Sequence, residues 1–433
     1  MHLLEKPKKK SNKKLNKKIR KNTKKISNPI LKGGKYLGSG SFGCVITPAL
    51  QCNRKSRRFS HSQKRYSISR DDVSKIISRT DIESEDTIEN EITISNRLKQ
   101  IDPFQKYFLY IKENCRIRDV PDTRSNISSV QFLDEDSIEV QVLDKKKLDK
   151  NHCQVDLKLK PLNLILSNGG KDLGDVLHIY SKVQSTTSAR RKTEYKSKYH
   201  NEIEMTTLFY KNFKYHAHAL LEGLYKLHQN NIVQRDIKIE NLMIDWSSKA
   251  QTAVIVRYID FGLSEILTRD YISSKSNLHA QGTPELIPPD IIIASELKKY
   301  YKYGKEYVST KVFRELEKSV KKTFAELNLD ASIIKPKVRA LIDYLYKLMI
   351  DGDILYKYFG SSNEKFNGYV HKSDIYALGI TFYEIIHKYC RGNPYCADLK
   401  KNPKLAHLLK NMIELDPEKR YNVLQCLQHP YFQ

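Results

Sequence analysis

The chain has 433 residues, 39% hydrophobic and 10% aromatic, enough to bury a large core in one two-lobed domain or two modest ones. The formal net charge is +26, and half of that excess lies in residues 1–35, where fourteen Lys or Arg face a single acid, Glu5. No apolar run approaches the roughly 18 residues of a membrane helix, no apolar stretch behind the basic N-terminus makes a secretory signal, and the seven scattered cysteines form no C-x-x-C pair. We therefore expect no membrane span, no disulfide framework and no cysteine-based zinc site, and read the chain as intracellular, cytoplasmic or nuclear.

Residues 1–35 repel one another and have little to bury, so they are expected to be a disordered tail. With no aromatic residue before Tyr36, the tail suits nonspecific contact with polyanions and no base stacking. Ordered sequence is expected from Tyr36, where KYLGSGSFGCVI reads as a strand, a Gly-rich turn and a second strand. Residues 49–70 are basic and Ser-rich, a long solvated loop. DVSKII reads as a strand, and TIENEITISNRLKQI carries Ile88, Ile92, Ile94 and Leu98 at helical spacing. KYFLYIKENCRI and LNLILS read as strands, and the polar stretch between them holds a hairpin of its own. From Thr206 to Gln229 apolar positions recur with helical period. Strands first and helices after define an α+β class.

Three segments carry chemistry. The first is Leu37-Gly38-Ser39-Gly40-Ser41-Phe42-Gly43-Cys44-Val45, where glycines let backbone amides approach anionic oxygens. No Gly-Lys-Ser/Thr follows, so it is not a P-loop. The second is Lys75 in an apolar strand, ahead of a helix that offers Glu91 as its partner, with Glu89 the competing choice. The third supplies Asp236, Lys238 and Asn241 after Ile232-Val233, and then Asp260-Phe261-Gly262 at the end of another strand. Phosphoryl transfer needs positioning and charge neutralisation more than covalent chemistry. Asp236 can accept the proton of an attacking hydroxyl and Lys238 can neutralise γ-phosphoryl oxygens. Asn241 and Asp260 can hold magnesium.

In this order the segments resemble the eukaryotic protein kinase signature set across residues 36–433. GTPELIPPD (Gly282 to Asp290) resembles the substrate loop and the end of the activation segment. KSDIYALGITFYEII (Lys372 to Ile386) resembles the large central helix, with Asp374 at its head. LDPEKRYNVLQCLQHPYF resembles the C-terminal motif, where Arg420 would pair with Asp290. The resemblance implies a bilobal fold, with a β-rich N-lobe of about 36–166 carrying one main helix and a helical C-lobe of about 167–433. It implies ATP and Mg2+ as cofactors and protein substrates phosphorylated on serine or threonine, because Lys238 and GTPE resemble that branch. Ile165 or Leu166 would lie near the adenine. Cys44 would be either a reactive thiol over the triphosphate or a buried, inert one. Arg235 would meet a phosphate on the segment between Asp260 and Asp290, or that segment would be held without one.

Against the family pattern, Gln234 replaces the usual His, Asp290 the usual Glu and Tyr376 the usual Trp. Insertions fall near 49–70, 119–156 and 294–368, the last mostly helical by pattern and either a docking element or a packed decoration. A pseudokinase scaffold is the rival reading. Against it, Lys75, Asp236, Asn241 and Asp260 are all present.

Overall fold

The computed structural model describes residues 35–40, 43–50, 52, 71–77, 82–116, 130–133, 153–156, 161–247, 251–268, 280–314, 331–359 and 366–433. The basic tail, most of the 49–70 loop, and Ser41 and Phe42 of the Gly-rich turn lie outside these residues.

Alternating apolar and small residues build an antiparallel sheet in the order β1-β2-β3-β7-β4. Its strands are β1 (Lys35–Gly40), β2 (Gly43–Thr47), β3 (Val73–Ile77), β4 (Ile111–Arg116) and β7 (Leu162–Leu166). Register sets Lys75 opposite Val45 on one side and Leu164 on the other, so the lysine sits mid-sheet behind the Gly-rich hairpin. Helix α1 (Ile82–Ile101) starts six residues before Ile88, the first position of the apolar stripe that announces it. Ile88 packs with Ile77, Ile111, Leu162 and Leu164, while Ile94 and Leu98 join a second core reaching into the helical half.

Only the second half of KYFLYIKENCRI is strand. Asp102 accepts the amides of Lys106, Tyr107 and Phe108 and turns the chain. Residues 107–109 then pair with Tyr258 of the C-lobe, tying the lobes together. The hairpin expected in the polar stretch is also corrected. β5 (Val130–Leu133) and β6 (Cys153–Asp156) pair in parallel, and a parallel pair needs a crossover connection in place of a tight turn.

The second lobe begins at β8 (Lys171–Asp172), with α2 (Leu173–Ser185) capped by the Asp172 carboxylate on the Asp175 amide. Next come α3 (Ala189–Lys198), α4 (His200–Lys211) and α5 (Phe213–Gln229), so the periodic stretch from Thr206 is two helices broken at Asn212. Strands β9 (Ile232–Val233), β10 (Leu242–Trp246), β11 (Val254–Tyr258) and β12 (Glu265–Ile266) frame the segments that carry Asp236 and Asp260. Helix α6 (Pro289–Tyr300), helix α7 (305–314), α8 (Ala331–Asp351) and α9 (Ile354–Phe359) lead to α10 (Tyr369–His387). Helix α10 is buried on nearly every side, as expected of a helix at the centre of a lobe. The chain closes with α11 (Cys396–Lys401), α12 (Pro403–Met412) and α13 (Val423–Leu427).

The expectation of no disulfides is overturned. Cys52 bonds Cys115 with Cα atoms 5.9 Å apart, and Cys390 bonds Cys396 at 5.7 Å. Cys44 is buried and disulfide-bonded as well, so it is not the reactive thiol of the sequence reading. Pairing of cysteines 63 residues apart is set by tertiary proximity, which spacing does not report. The intracellular reading rested in part on unpaired cysteines and loses that support.

Candidate active site

The site is built from three strand ends and two helices. In the N-lobe, Lys75 Nζ stands 3.3 Å from Glu91 Oε2 and 3.4 Å from Oε1. Burial works against the lysine's charge, but Glu91 and Asp260 more than offset it, and its pKa lies above the ordinary value. Of the two acids weighed as partner, Glu91 is the one that meets it. Neighbouring Asn90 donates to the carbonyls of Gly262 at 3.0 Å and Ser264 at 2.6 Å, so α1 also grips the start of the activation segment. Leu37 on β1 is 46% exposed, and Val45 on β2 is half-buried, opposite Gly38.

The loop that carries Asp236 follows β9. Asp236 is held from three sides. Asn241 Nδ2 donates to its Oδ2 at 2.9 Å and to its carbonyl at 2.8 Å. The Thr283 amide and hydroxyl donate to its Oδ1 at 2.9 and 2.8 Å. Lys238 Nζ lies 2.8 Å from its Oδ2 and donates to the Thr283 hydroxyl at 3.1 Å. The carboxylate thus has a fixed orientation while the Lys238 side chain keeps 28% of its surface open.

Gln234, fully buried, joins this loop to the next strand end. Its Oε1 accepts the Asp236 amide at 2.7 Å and its Nε2 donates to the Asp260 carbonyl at 3.2 Å. The Ile259 amide donates to the Asn241 carbonyl at 3.0 Å, bringing Asn241 beside Asp260. Both side chains offer hard oxygen donors, the chemistry magnesium takes. The Phe261 ring packs edge-on against Phe108 at 5.9 Å, burying the residue after Asp260.

Arg235 and Asp260 both adopt left-handed backbone, φ 67° and 59°, which costs a side-chain-bearing residue roughly 1–2 kcal/mol. Asp374 of α10 offsets this for Arg235. Its Oδ1 accepts the Arg235 amide and its Oδ2 the Gln234 amide, each at 2.9 Å, with His228 Nε2 also 2.9 Å away. Gly282 is left-handed too, and a Cβ there would lie 2.3 Å from the Arg235 carbonyl. Only glycine lets the segment come back this close. Further down, Arg420 Nη2 meets Asp290 Oδ1 at 2.6 Å with both side chains fully buried, and its guanidinium lies over Tyr376 at 5.1 Å.

Four residues near the site escape a sequence reading: Asn90, Glu265, Gln281 and Tyr358. Asn90 adjoins Glu91 and was within reach by helical geometry. The other three meet only in three dimensions.

A protein-family model described as Protein kinase domain matches residues 175–312. The match begins in α2 and includes Asp236, Asn241, Asp260 and Asp290, and the N-lobe lies outside it. The chain is similar to serine/threonine-protein kinase SSK22 of Saccharomyces cerevisiae, 33% identical over 110 residues, 22% of this chain and 7% of that protein. It is similar to the meiosis-specific serine/threonine-protein kinase mek1 of Schizosaccharomyces pombe, 23% identical over 244 residues, 53% of this chain and 38% of that one. It is also similar to cyclin-dependent kinase-like 5 of Mus musculus, 26% identical over 225 residues, 51% and 20% of the two chains. The chain thus spans well under two thirds of the length of these curated relatives. Matching model, relatives and two-lobed architecture agree on the eukaryotic-type protein kinase superfamily as what this chain is similar to.

Proposed function

We propose that the chain is an active serine/threonine protein kinase that moves the γ-phosphoryl group of ATP to protein hydroxyls. The observation that carries this reading is the Asp236 carboxylate, fixed by Asn241, Thr283 and Lys238 while Lys75 and Glu91 stand paired across the cleft. Asp236 aligns the acceptor hydroxyl and takes its proton. Lys238 neutralises charge on the transferred group, and Lys75, held by Glu91, faces the nucleotide phosphates. Asn241 and Asp260 would hold magnesium, which supplies charge neutralisation for the phosphates. The backbone of the Leu37–Val45 hairpin covers them. Lys238 and the GTPE string favour serine or threonine over tyrosine as acceptor, and the serine/threonine kinases among the relatives point the same way.

Transfer of radiolabelled phosphate from ATP to generic basic, acidic and neutral protein substrates, wild type beside Asp236→Asn, tests this. Label on serine or threonine that Asp236→Asn lowers by on the order of 10²-fold or more supports the reading. Nucleotide binding without transfer by the wild type would leave a pseudokinase.

A further inference from the structure

Arg235 is a buried cation one residue from Asp236, and the chain itself supplies its partners. The guanidinium lies 2.6 Å from Glu265 Oε2, and Nη1 donates to Gln281 Oε1 at 3.0 Å. Glu265 is placed by strand pairing, since β12 sets it opposite Val233 of β9, two residues before Arg235. Gln281 is placed by the close return of Gly282 onto the Arg235 carbonyl. The beginning and the end of the activation segment therefore converge on one guanidinium. The 294–368 insertion supplies a further wall. Arg235, Gln281, Ile287, Pro288, Val370 and Tyr358 line one small cavity, and Tyr358 comes from α9. Tyr358 is 1% exposed, and burial, ahead of the nearby charges of Arg235, Glu265 and Asp290, pushes its hydroxyl up. A second anchor fixes the insertion to the C-lobe, where Tyr344 of α8, Lys357 of α9 and Tyr369 of α10 converge on Glu418 at 3.1, 2.9 and 2.7 Å.

We propose that the insertion is a built-in support for the activation segment, with Tyr358 and Glu265 as positioning residues that hold Arg235, and through it the contact between Asp236 and Thr283, without a phosphate on the segment. This rests on the kinase reading above. The physical case is one of charge. Arg235 already has a carboxylate and an amide oxygen, and a phosphate brought to it would crowd a second anion against Glu265 in a buried site. Ser264, the hydroxyl nearest in sequence, is fully buried and donates to the Gln234 carbonyl at 3.2 Å. Tyr358 closes the cavity on the side where Pro288 and Ile287 end the segment, so removing its ring frees the segment's C-terminal end.

The test uses the full chain, treated with phosphatase or not, as wild type, Tyr358→Ala, Tyr358→Phe and Glu265→Gln. Readouts are kcat and ATP KM, with amide hydrogen exchange over residues 280–290. The expected result is an unchanged wild type after phosphatase. Tyr358→Ala and Glu265→Gln should each show about tenfold lower kcat at unaltered ATP KM, with about tenfold faster exchange in 280–290. Tyr358→Phe, which keeps the ring, should stay close to wild type. Unchanged kcat and exchange in both Tyr358→Ala and Glu265→Gln would overturn the proposal, as would a loss of more than about tenfold on phosphatase treatment of the wild type. If Tyr358→Ala fails to fold, Glu265→Gln decides. A wild type without turnover refutes the kinase reading alone, and the exchange of 280–290 in Glu265→Gln still decides the support.

Discussion

Gln234 bridges Asp236 and Asp260, accepting the amide of the first at 2.7 Å and donating to the carbonyl of the second at 3.2 Å. One side-chain amide thereby sets the distance between the two carboxylate-bearing turns. Leucine at 234 fills the same space, leaves the buried Asp236 amide without its partner, about 1–3 kcal/mol, and removes the donor to the part-buried Asp260 carbonyl. We expect Gln234→Leu to lower phosphotransfer at least about tenfold, roughly 1.4 kcal/mol in barrier. Gln234→His, whose neutral ring offers one donor and one acceptor, should keep most of it. Steady-state rates for the pair check this, and full activity in the leucine variant would sink the bridging role.

Thr283 reads out the same loop from the substrate side. Its hydroxyl donates to Asp236 and accepts from Lys238, two bonds that valine cannot make. Thr283→Val should lower kcat about tenfold or more, and Thr283→Ser should restore it. Equal rates in all three proteins would show that the hydroxyl does not hold the carboxylate.

Asp260→Ala tests the proposed metal ligand. Loss of a charged oxygen donor should reduce transfer by on the order of 10²-fold, with little change in the unfolding midpoint, because Asp260 is only half-buried and its backbone carbonyl keeps the bond from Gln234. Retention of more than about a tenth of the wild-type rate would remove Asp260 from the role.

The pair of Arg420 and Asp290 carries a stability prediction. Both side chains are fully buried, and burial pushes the Asp290 carboxyl up even though Arg420 pulls it back. Removing one partner leaves an unpaired buried charge, so Arg420→Met should cost about 3–5 kcal/mol of unfolding free energy. The double variant Arg420→Met with Asp290→Leu should recover part of that loss. Denaturant unfolding of the two variants decides it, and a double variant less stable than the single one would contradict the charge argument.

Glu265 gives a pH dependence. Burial pushes its carboxyl up to about 7, with Arg235 pulling it back toward the ordinary range. Arg235 faces it from the catalytic loop and Tyr358 from α9. An arginine does not titrate near neutrality, and the Tyr358 hydroxyl is pushed up to about 12. The ion pair is therefore complete only above about pH 7, and kcat should rise through that value in the wild type and stay flat in Glu265→Gln. Stability runs the other way. A carboxyl with a raised folded pKa contributes stability that is present below its unfolded pKa and lost as pH rises through about 7. Unfolding midpoints at pH 5 and pH 8 should accordingly differ less in Glu265→Gln than in wild type. A kcat profile that keeps its inflection in that variant would assign it to another group.

Local chemistry wrote much of this molecule into its sequence. The Gly-rich hairpin, the Lys75 strand, the α1 stripe and the spacing of Asp236, Lys238, Asn241 and Asp260 depend on neighbours a few residues away, so strand alternation and turn chemistry expose them. Long-range proximity did not show. Cys52 finds Cys115 because β4 returns past the loop after β2, and no spacing rule encodes that return. The strand expected over 106–110 gave way to a turn because Asp102 offered its oxygens to three amides, a competition a period-two pattern cannot reveal. The insertion read as helical either way, but only the packing of α9 against the catalytic loop brought Tyr358 to the Arg235 cavity. Hydrophobic periodicity names the face of a helix that is buried, and the tertiary fold alone decides what it is buried against.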